Sequence, residues 1–198
     1  TIDEMFGVMC EFNQTKQKLT VVFDKGMNSD ENIGFIDDHS RIHFITTYSP
    51  YFVEDIAATD LKYFTLLDTK KNRLLADKAN DADRQLAYRT THELWGQERT
   101  IIVTYSPSSS RKQMLKLNEK LDSLRDNLLE FRRKYREQQA HWRDRDEILR
   151  RYERLCERLH IGSQYYQIEF ADGRKATDLS FRKSLYEVEK SARLFGRN

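Results

Sequence analysis

Cysteine is scarce in this chain: Cys10 and Cys156 are the only two in 198 residues. They lie far apart and match neither a metal-ligand nor a CxxC spacing, which excludes a thiolate metal centre and a dithiol redox site. Long apolar runs are also missing. None approaches the roughly 18 residues that a bilayer-crossing helix needs, and no signal-peptide pattern opens the chain. No membrane partner is expected, and a reducing, cytoplasmic setting is the natural reading. The five histidines are scattered, with no pair at zinc-ligand spacing. An overall excess of one charge is absent too, since 34 Lys/Arg face 32 Asp/Glu for a net +2. Total charge therefore does not point to nucleic acid, and its distribution carries more information. There is no internal repeat and no low-complexity segment.

What is present suits a folded protein with long solvated surfaces. Charged residues make up 33%, hydrophobic residues 38% and aromatics 12%, which argues against wholesale disorder. Residues 111–160 hold 15 Lys/Arg and 10 Asp/Glu, a local excess of +5 that leaves −3 for the remainder. The basic excess is concentrated in one helical stretch.

Ile2, Met5, Phe6 and Met9 recur at spacings of three and four, predicting an amphipathic helix over 1–15. Lys18 to Phe23 is nearly all apolar and β-branched, which predicts a strand buried on both faces. Asp24-Lys25-Gly26 ends it. Asn28 and Glu31 stand at capping-box spacing, with Ser29 as the competing N-cap, ahead of a short helix to about Asp37. Arg41 to Tyr48 predicts a second strand, stopped by Ser49-Pro50. This helix, strand, helix, strand order predicts α/β architecture with parallel pairing.

Residues 51–85 predict only short helical and turn pieces. Leu86–Glu93 and Glu98–Tyr105 form an expected hairpin around Leu94-Trp95-Gly96-Gln97. Ser106 to Ser110 carries helix-cap chemistry. Met114, Leu117, Leu121, Leu124, Leu128, Phe131 and Tyr135 then trace a heptad seam. After a polar break, Ile148, Tyr152, Leu155 and Leu159 resume it, with Gly162 as the expected stop. The two seams predict an antiparallel helical hairpin. A strand over 164–171, another over 181–186 and a short helix over 187–194 follow.

Asp24 is the main candidate for chemistry. A carboxylate at the C-terminal end of a buried strand stands where open α/β sheets place their ligands. Nucleases and transposases gather several carboxylates at such an edge to hold divalent cations for in-line displacement at phosphorus. From the residues alone, an Asp ending a strand is more often a turn former or a helix cap.

The stretch Leu19-Thr-Val-Val-Phe-Asp24-Lys-Gly-Met-Asn28-Ser29-Asp-Glu-Asn32 resembles the segment that bears the second Asp of bacterial insertion-sequence DDE transposases. Ile42-His-Phe-Ile-Thr resembles the next strand of their ribonuclease-H-like core. Tyr88-Arg-Thr and Glu98-Arg-Thr-Ile-Ile-Val-Thr-Tyr105, followed by a long charged helix, resemble the large insertion that some branches place before the final Glu. The resemblance implies a partial ribonuclease-H-like core over 1–50. It further implies a mixed β and long helical-hairpin (coiled-coil) insertion over 51–185, and a return toward the core over 186–198. The implied activity is metal-dependent phosphodiester hydrolysis and strand transfer at element ends by a homodimer. Mg²⁺ or Mn²⁺ is the implied cofactor, and element-end and target DNA are the implied partners. Asp24 would be both catalytic and a metal ligand. The first Asp is expected before Thr1 and the final Glu after Asn198, so this chain by itself is expected not to cut DNA.

Several residues have two readings. Lys25 stands near a scissile phosphate or is simply solvated; Asn28, Ser29 and Asn32 touch DNA backbone, with helix capping the other reading for Asn28 and Ser29. Arg132, Arg133, Arg136, Arg150 and Arg151, with their basic neighbours, lie along phosphates or form a wet face of i,i+4 pairs. Asp30, Glu31, Asp37 and Asp38 read as helix flank rather than a metal site. Trp95 and Trp142 stack on bases, or anchor a turn and a hairpin tip. The rival to a transposase is a non-enzymatic helical-hairpin module that binds DNA or protein.

Overall fold

The computed structural model describes residue 4, residues 7–8, residues 17–173 and residues 176–198, apart from the side chains of 172, 173, 176 and 177. The helix expected over 1–15 falls almost wholly outside the described residues. The architecture is mixed α/β, with six α-helices and three small sheets among the described residues. Two compact units divide it, one running to Tyr105 and including Arg197–Asn198, the other spanning Ser106–Gly196.

In the first unit, strand β1 (Leu19–Phe23) pairs in parallel with β2 (Ile42–Thr46), Leu19 opposite Ile42 and Phe23 opposite Thr46. Helix α1 (Asp30–Asp37) connects them and places Ile33 and Ile36, both buried, against Val21 and Phe23. Parallel pairing follows the expectation; burial on both faces does not. Val22 and Ile45, cross-strand neighbours on the other face, are 73% and 59% exposed. Among the described residues one helix layer covers the two strands, so alternation decides which side chains meet the core.

Short pieces follow: α2 (Glu54–Ala57), β3 (Thr65–Leu66) and α3 (Lys70–Asp77). Then β4 (Leu86–Leu94) and β5 (Gln97–Tyr105) complete an antiparallel sheet in the order β3-β4-β5. Trp95 and Gly96 turn the hairpin with φ of 53° and 69°, the paired positive values of a type I′ turn. The Trp95 ring meets Phe44 and Tyr48 at 6.3 and 5.4 Å. Arg99 pairs with Asp37 and lies over Phe44. The hairpin tip is thus packed onto the β1–β2 core, within the unit that runs to Tyr105. Asn198 extends the edge of β5 through reciprocal backbone bonds with Thr104.

The second unit is built on α4 (Pro107–Arg136) and α5 (Arg145–Leu159), capped by Ser106 and Asp144 respectively. Leu117, Leu121, Leu124, Leu128, Phe131 and Tyr135 face Ile148, Tyr152 and Leu155 in one buried cluster. The helices run antiparallel: Lys120, midway along α4, donates to the His160 carbonyl at the end of α5, whereas Arg145 at the start of α5 reaches the Tyr135 hydroxyl near the end of α4. His160, in the left-handed region at φ 50°, ends α5, rather than Gly162. Its αL geometry lets the Ile161 N–H reach the Cys156 carbonyl at 3.0 Å, closing the last turn. The hairpin β6 (Tyr166–Gly173) and β7 (Ala176–Lys183) covers the seam with Phe170, Leu179 and Phe181. Helix α6 (Leu185–Leu194) closes the unit. The strand expected over 181–186 begins at Ala176 instead, because β7 keeps register with β6 as far back as Gly173.

Candidate functional site

The β1 strand delivers Asp24 to the carboxyl edge of the parallel pair. Its backbone is still extended (φ −80°, ψ 157°), and the chain then tightens into a 3-10 turn over Lys25–Met27. Asp24 Oδ1 accepts the Lys25 N–H at 2.6 Å and the Thr47 hydroxyl at 3.4 Å. Thr47 immediately follows β2, so the two strand ends meet through these side chains. Asn28 joins the same edge: its Nδ2 donates to the Thr47 carbonyl at 2.8 Å and its Oδ1 accepts from the Thr46 hydroxyl at 2.7 Å.

The structure chooses Ser29 as the cap of α1, with Oγ accepting the Asn32 N–H at 3.2 Å. The capping box at Asn28 and Glu31 is not used, because the Asn28 amide is committed to β2. Asn32 turns back to the Met27 carbonyl at 3.0 Å. Lys25 is exposed beside Asp24. Asp30 and Glu31 occupy the first turn of α1, where negative charge favours the helix dipole.

Among the described residues no group of three or more His, Cys, Asp or Glu side chains is placed to hold a metal ion. Asp24 offers one carboxylate, with Oδ1 engaged and Oδ2 outside both bonds. Mg²⁺ favours oxygen ligands in near-octahedral geometry and is usually bound through carboxylates and waters. The side chains described here supply one such ligand and do not by themselves form that centre.

The arginines singled out in the second unit come together in three clusters, each organised around an acid. Arg132 and Arg136 both grip Asp178 of β7, Arg132 through two bonds of 3.0 and 2.9 Å. The Arg132 guanidinium, helped by Arg136, holds the Asp178 carboxyl down at about 2. Arg133 and Lys134 share Glu130, which is likewise held at about 2, chiefly by Arg133. Arg150, Arg151 and Arg154 converge on Glu147 at 3.1, 3.1 and 3.2 Å. Trp142 lies between Lys134 and Arg151, each 4.7 Å from its ring, and packs on Phe131. It anchors the hairpin tip by cation–π contact. The five singled-out arginines therefore make intramolecular pairs, three of them with an acid three or four positions away on the same helix. Residues 106–196 nevertheless keep an excess of +6, with 21 Lys/Arg against 15 Asp/Glu.

Thr47 and Asp178 are the participants that spacing did not reveal. A signal for Thr47 was available: if β1 and β2 run parallel with ends aligned, the residue after β2 stands beside Asp24. Asp178 lies 42 residues beyond Arg136, and only the β6–β7 register brings it to α4. Cys156 is buried, and burial pushes its thiol up, the behaviour of a packing residue rather than a nucleophile. No protein-family model, curated protein or solved structure matches this chain.

Proposed function

We propose that residues 17–50 are part of the ribonuclease-H-like core of a DDE-type insertion-sequence transposase, with Asp24 one of its metal-binding carboxylates. A single observation carries the reading. The carboxylate that ends the Phe-Asp-Lys-Gly-x-Asn-Ser run stands at the C-terminal edge of a parallel strand pair, with one oxygen uncommitted by the bonds that fix it. That is where this architecture places ligands. The complete protein would carry out phosphodiester hydrolysis and strand transfer at element ends as a homodimer, with Mg²⁺ or Mn²⁺. Because the described side chains supply one ligand, cleavage is assigned only to a protein in which further carboxylates converge on this edge.

The second unit favours DNA as partner through its basic excess, and a binding module built on the helical hairpin is the alternative reading. Its support is the self-contained core from Leu117 to Leu179, which does not depend on Asp24. The test is nicking of element-end DNA by the full-length protein. Asp24→Ala is expected to abolish Mg²⁺-dependent nicking while DNA binding persists. Undiminished nicking by that variant would remove Asp24 from the active site and leave the binding module as the better account.

A further inference from the structure

We propose that Thr47 is a positioning residue for Asp24 and is itself set by Asn28; this rests on the reading of Asp24 as a metal-binding carboxylate. An exposed Asp at the start of a loop ordinarily exchanges among staggered wells. Here two donors from separate parts of the chain converge on one oxygen, the Lys25 N–H from its own turn and the Thr47 hydroxyl from the neighbouring strand end. Both fall on Oδ1, the amide closely at 2.6 Å and the hydroxyl more loosely at 3.4 Å, which orients the carboxylate and leaves Oδ2 as the open ligand.

Thr47 can serve as a fixed reference for two reasons. Its β-branched side chain is stiff about χ1, and its carbonyl is held by Asn28 Nδ2 at 2.8 Å. Asn28 is held in turn by the Thr46 hydroxyl at 2.7 Å. Both ends of the Asn28 amide are spent on Thr46, the last residue of β2, and on Thr47 just after it, so this side chain ties the Asp24 loop to the neighbouring strand end. A carboxylate already ordered loses less freedom when it meets a cation, which is the advantage of preorganisation.

The experiment uses the whole chain, with three-bond couplings to the Asp24 carboxyl carbon reporting its rotamer and Mn²⁺ broadening of the Lys25 amide reporting cation approach. The wild type is expected to hold one Asp24 rotamer, and Thr47→Ser, which keeps the hydroxyl without the β-branch, to retain that rotamer as the major one. Thr47→Val, which keeps the shape and loses the hydroxyl, is expected to show rotamer averaging. It should also need about threefold more Mn²⁺ for equal broadening, the worth of one exposed hydrogen bond. Asn28→Ala should behave likewise; if it disrupts the fold, Thr47→Val decides. Averaging already present in the wild type, or couplings unchanged in Thr47→Val, would overturn the proposal. Mn²⁺ broadening that persists in Asp24→Ala would instead defeat the metal-ligand reading, whatever the rotamers do.

Discussion

Arg132 of α4 holds Asp178 of β7 in a two-pronged grip, Nε to Oδ1 at 3.0 Å and Nη2 to Oδ2 at 2.9 Å. Bidentate geometry makes this one of the stronger surface pairs, and it fastens the β6–β7 hairpin to the long helix. Because the folded Asp178 carboxyl is held at about 2, below its ordinary 3.8, its contribution is complete above pH 4. It is lost as the pH falls through 3.8 toward 2. Asp178→Asn is expected to cost about 1 kcal/mol at neutral pH, allowing for solvent screening of the partly exposed partners. The cost should vanish near pH 2. Thermal melts of the two proteins at pH 7 and at pH 2 check this.

Leu124, fully buried at 0% exposure, sits midway along the seam between α4 and α5. Leu124→Ala leaves a cavity that close-packed neighbours fill only in part, and is expected to cost roughly 2–5 kcal/mol. Trp142, with its ring 5.0 Å from Phe131, reports the loss by fluorescence during urea unfolding in a Trp95→Phe background. A cost under 1 kcal/mol would mean that the seam is not the core of this unit.

Much of this was legible from residue patterns, and the misses have physical causes. The parallel pair, the Trp95-Gly96 turn and the heptad seam each rest on a local period or a required positive φ, which the residues themselves carry. Burial of β1 on one face only, with Val22 exposed, depends on how many layers cover the strand; the apolar run Leu-Thr-Val-Val-Phe does not encode that. The α5 stop moved from Gly162 to His160 because tertiary packing held a non-glycine residue in the left-handed region, with Lys120 on its carbonyl. At the candidate site, Asp24 stands out by itself, whereas Thr47, 23 residues away, follows only once the two strands are taken as parallel with aligned ends. The arginines were legible as charges, but their acids were only partly so: Glu130 and Glu147 lie on the same helices, whereas Asp178 arrives from β7.

Glu147 binds three guanidiniums, those of Arg150, Arg151 and Arg154, and their pull lowers its carboxyl below the usual range, Arg150 foremost. If this face meets DNA, Glu147→Gln releases those charges for phosphates. Tighter binding and a steeper fall of affinity with salt are expected, since each added phosphate contact steepens the salt slope by about 0.9 on B-DNA. Fluorescence anisotropy with duplex DNA across a salt series measures both. An unchanged slope would take this helix face out of the DNA interface.

The most direct measurement exchanges the hard carboxylate of Asp24 for a thiolate in the full-length protein and asks which metal the reaction then accepts. Asp24→Cys is expected to lose nicking of element-end DNA with Mg²⁺ and to recover it with Mn²⁺ or Cd²⁺, because soft thiolate ligands favour softer cations. Nicking by Asp24→Cys with Mg²⁺ at the wild-type rate would contradict ligation by residue 24 and, with it, the assignment of this strand edge to phosphodiester chemistry.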